Sequence, residues 1–346
     1  MNDTFLKACR GEATDFTPVW IMRQAGRYLP QYHEVRNKGS FLDLCKNPDR
    51  AAEVSIQPVD HIGVDAAILF SDILVPMEAM GLALDFQEKR GPVFADPVRD
   101  QAAVDRLGIP DPEDDLGYVM DTVRLLRKEL AGRVPLIGFS GAPFTLSTYL
   151  IEGGSSKNYL NTKRMMYQAP ELYHALMRKI TDCTISYLSG QIAAGVQAVQ
   201  VFDSWAGVLA PCDFAEFSLP YVKEIVAALK GKGVPIIYFA NNGASLLDLS
   251  TTCGADVLGI DWRIGLDLVV EKVAGRMSIQ GNMDPIALFL PEEKLAARVR
   301  RVLEEARGAR GHVFNLGHGI VPETPPEQAK LCVDLVHSIS REMRAG

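Results

Sequence analysis

Two guanidinium groups stand four residues apart in Met22-Arg23-Gln24-Ala25-Gly26-Arg27-Tyr28-Leu29-Pro30-Gln31-Tyr32. Arginine stays charged and presents a rigid fork of donors that fits a carboxylate or phosphate through two parallel hydrogen bonds. Gly26 between them lets the backbone turn sharply or come close to a ligand. The run reads as an anion clamp; two arginines on a surface loop are the plain alternative, and for arbitrary pairs the commoner one. Asp72 closes Leu69-Phe70-Ser71-Asp72-Ile73, where an acid is either a helix N-cap or a site carboxylate. Beside Arg23 and Arg27 its pKa is expected to be held down, keeping it ionised and able to accept N–H bonds or stabilise developing positive charge.

Other reactive side chains recur at the ends of apolar runs. His318 sits between Gly317 and Gly319, which would let it approach a ligand, whereas a lone histidine is usually a satisfied structural group. Tyr149, in Thr145-Leu146-Ser147-Thr148-Tyr149-Leu150, is as readily a core aromatic as a site hydroxyl. Asp203 and Ser204, in Phe202-Asp203-Ser204-Trp205-Ala206-Gly207, could cap the next helix, and Asp203 divides evenly between the two uses. Phe41 is a pocket wall or a plain helix anchor. Asn241, Asn242, Asp261, Arg263, Asn282 and Asp284 read as rim or supporting groups, more structural than catalytic.

The cheap signals for other chemistry fail. There is no G-x-G-x-x-G after a strand, no G-x-x-x-x-G-K-[ST], no H-E-x-x-H and no G-x-S-x-G elbow. The six histidines make no tight ligand set, so no metal site is expected. A cofactor-free enzyme acting on an anionic small molecule gains ground.

Short apolar runs alternating with amphipathic stretches position these groups. Strands are expected at 19–22, 66–70, 135–139, 198–202, 235–239, 256–260, 276–280 and 313–316, with a side hairpin from 82–86 and 91–94. Helices are expected at 49–62, 116–130, 145–151, 170–190, 213–230, 292–306 and 325–341, and 152–157 reads as a flexible, lid-like loop. Strands buried on both faces read as continuous apolar runs, as these do. About eight strand-then-helix units imply an α/β fold, a (β/α)8 TIM barrel whose C-terminal strand ends carry the site. A doubly wound sheet is the runner-up, but it would carry a Gly-rich phosphate turn where Arg-Gln-Ala-Gly-Arg stands. With no repeat or clear linker, residues 1–346 read as a single barrel domain with a short N-terminal arm.

Composition sets the outer limits. The chain has 346 residues, 47% hydrophobic and 23% charged, with a net charge of −7 and a pI near 5.5. That balance argues against general nucleic-acid or acidic-membrane binding, while leaving room for a polyanion held by locally gathered arginines. Six scattered cysteines suit reduced thiols. No apolar run approaches the ~20 residues of a membrane span, and the first seven residues do not read as a leader. The expected location is cytoplasmic.

The runs Pro18–Pro30, Leu69–Ile73, Gly138-Phe139-Ser140-Gly141-Ala142-Pro143-Phe144-Thr145, Phe202–Gly207 and Asn315-Leu316-Gly317-His318-Gly319 together resemble the uroporphyrinogen decarboxylase family, in order and across essentially the whole chain. The resemblance implies a barrel enzyme, usually a homodimer, that removes carbon dioxide from four acetate side chains of a tetrapyrrole without metal or organic cofactor. It implies catalytic roles for Asp72 and Arg23. It also implies a substrate-binding set of Arg23, Gln24, Ala25, Gly26, Arg27, Phe41, Asp72, Tyr149, Ser204 and His318. Arg23 is a proton donor or a carboxylate orienter; an arginine is a poor acid, which favours electrostatic positioning. Cobamide-dependent methyltransferases of the same superfamily bind zinc through His-x-Cys and a distant Cys. The corresponding stretch here, Tyr238-Phe239-Ala240-Asn241-Asn242, lacks those ligands. A tetrapyrrole carrier without turnover is the other alternative.

Overall fold

The computed structural model describes residues 2–87 and 90–345. Residues 1, 88, 89 and 346, which the single-domain expectation also spans, lie outside the described residues. In chain order the strands are β1 (Ala67–Ile68), β2 (Leu84–Gln87), β3 (Gly91–Phe94), β4 (Leu136–Gly141), β5 (Ala198–Asp203), β6 (Ile236–Ala240), β7 (Val257–Gly259), β8 (Ser278–Gln280) and β9 (His312–Val313). β2 and β3 form the expected antiparallel hairpin. The other seven make one parallel sheet in the order β1-β4-β5-β6-β7-β8-β9. Every residue of β4 and β5 is buried, because helices cover the outside and side chains fill the inside. Helix Pro170–Ala194 lies on β4 so closely that Gln191 replaces part of a ladder: its Oε1 accepts from Phe139 N and its Nε2 donates to Phe139 O, both at 2.9 Å.

The sheet is curled. Gln200 on β5 and Gln280 on β8 are separated by two strands, which in a flat sheet means about 14 Å. Instead Gln280 Nε2 donates to Gln200 Oε1 at 3.0 Å, and Trp20 Nε1 donates to Gln280 Oε1 at 2.9 Å. The segment bearing Trp20 runs between the two sheet edges. Phe314 N donates to Pro18 O (2.8 Å), Trp20 N to Phe314 O (3.3 Å) and Asp65 N to Val19 O (2.8 Å).

Several boundaries differ from expectation for identifiable reasons. The strand expected at 19–22 is a single parallel bridge, Val19 to Phe314, because Met22 N is drawn to the Asn315 side chain and Ile21 N to the Gln24 side chain. The helix expected at 213–230 is two, Pro211–Phe217 and Leu219–Leu229. Pro220 has no N–H to continue the ladder, and Ser218 takes a non-helical backbone, its hydroxyl bonded to Asp203. The loop at 152–157 is anchored at its start: Gly154 bridges to Val93, Phe94 N donates to Gly153 O, and the Glu152 carboxylate accepts from Asn161 and Thr162. All six cysteines are free, five of them buried. Among the described residues no helix is long and apolar enough to cross a membrane.

Asp65 joins four parts of the chain and is only 3% exposed. Its Oδ2 accepts from Val19 N (2.8 Å) and pairs with His337 Nε2 (2.7 Å), and its Oδ1 accepts from Asn2 Nδ2 (2.8 Å). Asp65→Ala strands a buried backbone N–H and removes the partner of the half-buried His337 imidazole. It is expected to lower folding stability by about 3 kcal/mol, read as a drop in the urea midpoint at constant m-value; an unchanged midpoint would contradict this account.

Candidate active site

The first arginine sits on an unusual backbone. Arg23 has φ +66°, in the left-handed region that side chains seldom adopt. Gln24 locks the turn that requires it: the residue is fully buried, its Oε1 accepts from Ile21 N (3.0 Å), its Nε2 donates to Ala66 O (3.0 Å), and its own N–H donates to Ile21 O (2.8 Å). The Gln24 side chain therefore fastens the turn to the approach to β1 and is not free for a ligand. Ala25 and Gly26 are half-buried in the same turn, where a Cβ on Gly26 would fall 2.7 Å from Arg23 O.

The glycines around His318 serve neighbouring groups more than the imidazole. A Cβ at Gly319 would lie 2.3 Å from Arg23 Cδ, and one at Gly317 would lie 2.3 Å from Trp262 N. Gly319 thus gives Arg23 the space to lie across the chain end beyond β9, and Gly317 admits the loop after β7. His318 between them is half-buried. Burial and the positive charges of Arg23 and Arg263 push its pKa down to about 4, with Asp261 pulling the other way. At neutral pH it is an uncharged imidazole that offers one N–H.

Asp72 is half-buried, and one oxygen is used locally: Oδ1 accepts from Leu74 N at 2.8 Å, just ahead of helix Val75–Ala79. Asp72 therefore partly realises the turn-stabilising alternative, and its Oδ2 carries no local bond among the described residues. Its expected low pKa is overturned. Desolvation raises it from 3.8 to about 6, outweighing the Leu74 hydrogen bond and the attraction of Arg23. Arg23 in turn has its pKa lowered, chiefly by desolvation and also by Arg27, against the opposing pull of Tyr149 and Asp72.

Tyr149 is on helix Pro143–Glu152, one turn after Thr145 and so on the same face. Burial raises its phenol pKa; a hydrogen bond with the Trp205 side chain and the charge of Arg23 act against the rise, and Asp72 adds to it. Trp205 stands between two phenols, with ring centroids 6.2 Å from Tyr149 and 5.9 Å from Tyr159. Asp203, evenly divided on sequence, proves to be the anchor of this corner. It is fully buried and accepts from Thr145 Oγ1 (2.7 Å), Tyr238 OH (3.0 Å) and Ser218 Oγ (3.2 Å). Thr145 Oγ1 also accepts from Trp205 N at 3.2 Å, so the buried acid sets Trp205, and Trp205 sets Tyr149.

Arg23, Arg27, Asp72, Tyr149 and His318 therefore form one electrostatic group at the C-terminal strand ends. Ser204 is half-buried beside Trp205, with its carbonyl accepting from Asn241. Phe41 is further out. Its ring packs on Phe86 of β2 (4.8 Å) and Phe70 (6.0 Å), two residues before Asp72, the contacts expected of an anchor. Sequence reading missed Tyr159 and the role of Gly319. The Phe202–Gly207 run carried a signal for Trp205, but nothing in sequence pairs it with a tyrosine far upstream. A hollow of about 450 Å³ at the other end of the strands, among Thr14, Arg307, Arg310 and Arg344, is lined by none of these residues. Among the described residues no three His, Cys, Asp or Glu gather as a metal site.

Comparison with known proteins converges on one family. The family described as Uroporphyrinogen decarboxylase (URO-D) matches residues 1–339. A protein of Desulfotalea psychrophila named uroporphyrinogen decarboxylase is 61% identical over 340 residues, 98% of this chain and 99% of that one. Those of Carboxydothermus hydrogenoformans and Geobacter sulfurreducens carry the same name at 54% and 53% identity, with coverage of 97% or more on both sides. Among solved structures, a methyltransferase from Methanosarcina mazei superimposes with a TM-score of 0.79 at 20% identity, covering 100% of this chain and 99% of its own. A B12-independent methionine synthase from Shewanella gives 0.60 at 12%, covering 95% of each chain. At those identities the likeness speaks to fold alone.

Asp72 predicts a trade between stability and function. Its folded pKa lies above the ordinary value, so the carboxyl costs nothing below pH ~3.8 and destabilises the fold increasingly until pH has risen past about 6. Asp72→Asn keeps the acceptor for Leu74 N and removes the charge. It is expected to raise stability at pH 8 by on the order of 2 kcal/mol, after allowing for solvent screening, and to leave it unchanged at pH 3.5. Urea titrations at the two pH values test this; equal effects at both would contradict the desolvation account.

Proposed function

The chain belongs to the uroporphyrinogen decarboxylase family, and from that premise we propose that it removes carbon dioxide from the four acetate side chains of uroporphyrinogen, leaving methyls, in tetrapyrrole biosynthesis. The observation that carries the reading is the pairing of a desolvated carboxylate with guanidinium groups at one end of a curled parallel sheet. A polycarboxylate explains why an acidic protein gathers arginines there. A ring that turns cationic during reaction explains why an acid is kept among them.

In this reading the substrate supplies its own electron sink. A pyrrole protonated on ring carbon is cationic. The bond from the side-chain methylene to its carboxylate breaks, carbon dioxide leaves, and the electron pair neutralises the ring. A proton added to the exocyclic carbon completes the methyl, and the proton on the ring carbon then leaves to restore the pyrrole, so each cycle consumes one proton net. Asp72 accepts the central pyrrole N–H groups through Oδ2 and stabilises the cation in a site of low polarity. Arg23 orients the departing carboxylate and keeps its charge throughout. Arg27 and His318 hold other carboxylates, His318 through a neutral N–H; Tyr149 and Ser204 donate hydroxyl hydrogen bonds; Phe41 walls the entrance. Gln24, Ala25 and Gly26 serve by shaping the turn.

The same proposal extends to architecture. The segment through Val19, bonded to both sheet edges, acts as the eighth stave that closes a (β/α)8 barrel, and the chain is one catalytic domain with a short N-terminal arm. It works in the cytoplasm as a homodimer, with no cofactor, nucleic acid or membrane partner.

Carbon dioxide release from uroporphyrinogen is the direct test, with four equivalents expected per ring and the rate unaffected by exhaustive chelation. Because only the carboxylate form of Asp72 carries the charge that stabilises the cationic ring, kcat/KM should rise as pH passes upward through about 6. Asp72→Ala should fold and lose roughly 1,000-fold in kcat; wild-type turnover in that variant would remove its assigned role. Gly319→Ala alters no charge yet displaces Arg23, and a shift of about 1 Å at a reacting group can cost roughly 100-fold in rate. A Gly319→Ala rate equal to the parent's would show that the Arg23 position is not critical.

A further inference from the structure

The loop after β7 carries a guanidinium outside the expected substrate-binding set. Arg263 follows Asp261 and Trp262 at the C-terminal end of that strand, on the face where Arg23 and His318 lie. Its guanidinium carbon stands 3.9 Å from the centroid of the Trp262 ring. Its backbone N donates to Asp261 Oδ1 at 2.8 Å, and its Nη1 lies 3.5 Å from the same oxygen. Asp261 Oδ2 is committed to Gly243 N at 3.1 Å. The buried acid therefore fixes the loop and orients the arginine without saturating it. Most of the donor fork stays unengaged, and the Arg263 side chain is 41% exposed.

Gly317 and Gly319 set the geometry between this arginine and the proposed clamp. The Trp262 backbone packs against Gly317 and the Arg23 side chain against Gly319, so the two guanidinium-bearing segments lie against the residues on either side of His318 in the chain. His318 faces both charges and remains neutral at physiological pH. The result is two permanent cations separated by a neutral hydrogen-bond donor, with Asp261 the acid that faces this corner. Asp72 lies past β1, while Arg263 lies past β7, four places further along the sheet.

We propose that Arg263 is a further substrate-binding residue, gripping a carboxylate on a pyrrole ring other than the one being decarboxylated. The assignment rests on the uroporphyrinogen reading and deepens it. A stacked guanidinium is already ordered before the ligand arrives, so little freedom is lost on binding. A carboxylate reaching it would complete the fork that Asp261 leaves open. Because the contact is away from the reacting carbon, it is equally strong in ground state and transition state, and such uniform binding governs KM while leaving kcat alone.

The experiment is steady-state carbon dioxide release from uroporphyrinogen by the parent, Arg263→Ala and Arg263→Lys, with melting curves to verify folding. One lost charge-assisted fork is expected to raise KM about 10-fold in Arg263→Ala with kcat within about two-fold of the parent. Arg263→Lys should fall between, since it keeps the charge but not the fork or the stack. A parent-like KM in Arg263→Ala would overturn the assignment while leaving the decarboxylase reading intact. A fall in kcat at constant KM would also overturn it, placing Arg263 behind His318 as a supporting group only. A parent protein that releases no carbon dioxide would overturn the functional reading itself, and the inference with it.

Discussion

A strained backbone at one arginine sets the arrangement of the whole site. Left-handed φ at a residue with a Cβ costs about 1–2 kcal/mol, and such conformations persist only where their surroundings over-determine them. At Arg23 the surroundings are Gln24, whose side chain is bonded at both ends, and Gly319, whose missing Cβ leaves room for the arginine stem. Because Gln24 reaches Ala66, immediately before β1, the turn moves with the strand that leads to Asp72. The clamp and the carboxylate are thus positioned by one rigid connection.

The second determinant is the competition between water and charge. An acid close to an arginine normally ionises more easily, yet Asp72 ionises with more difficulty because the loss of water outweighs the neighbour. The neutral form is favoured at His318 too, but there burial and two like charges act together instead of competing. Asp203 has the same elevated pKa as Asp72, about 6, with a different consequence. Three hydroxyls satisfy it completely, so it is structural, whereas Asp72 keeps an oxygen in reserve. Similar acidity at two buried acids therefore does not mean similar work; the unfilled acceptor separates them.

Much of this was legible in the sequence. Continuous apolar runs ending in Gly with Asp, Ser, His or Arg located the strands and the face of the site, because parallel strands covered on both sides must be apolar and must place polar groups at their ends. The five family runs carried the residue set. What the sequence hid was depth and contact. It showed Asp72 and Arg23 as opposite charges but not that desolvation outweighs their attraction at Asp72. It showed two glycines beside His318 but not that each accommodates a different neighbour, Trp262 or Arg23. It ran one helix through Ser218 because composition there is helical; only the buried Asp203, distant in sequence, explains why that hydroxyl turns inward. Arg263 ranked as a rim group because a lone arginine after a tryptophan carries no pattern until the ring beneath it is seen.

The placement of the indoles gives the molecule a built-in optical reporter. Of the three tryptophans, Trp20 is sealed in the interior with its N–H on Gln280. Trp205 and Trp262 stand at the site, one against Tyr149 and the other beneath Arg263. Emission from the sealed indole is shielded from changes of polarity at the mouth, whereas the other two indoles respond to them. A colourless ligand settling beside Trp205 and Trp262 would shift the emission of two fluorophores and leave the third as an internal reference.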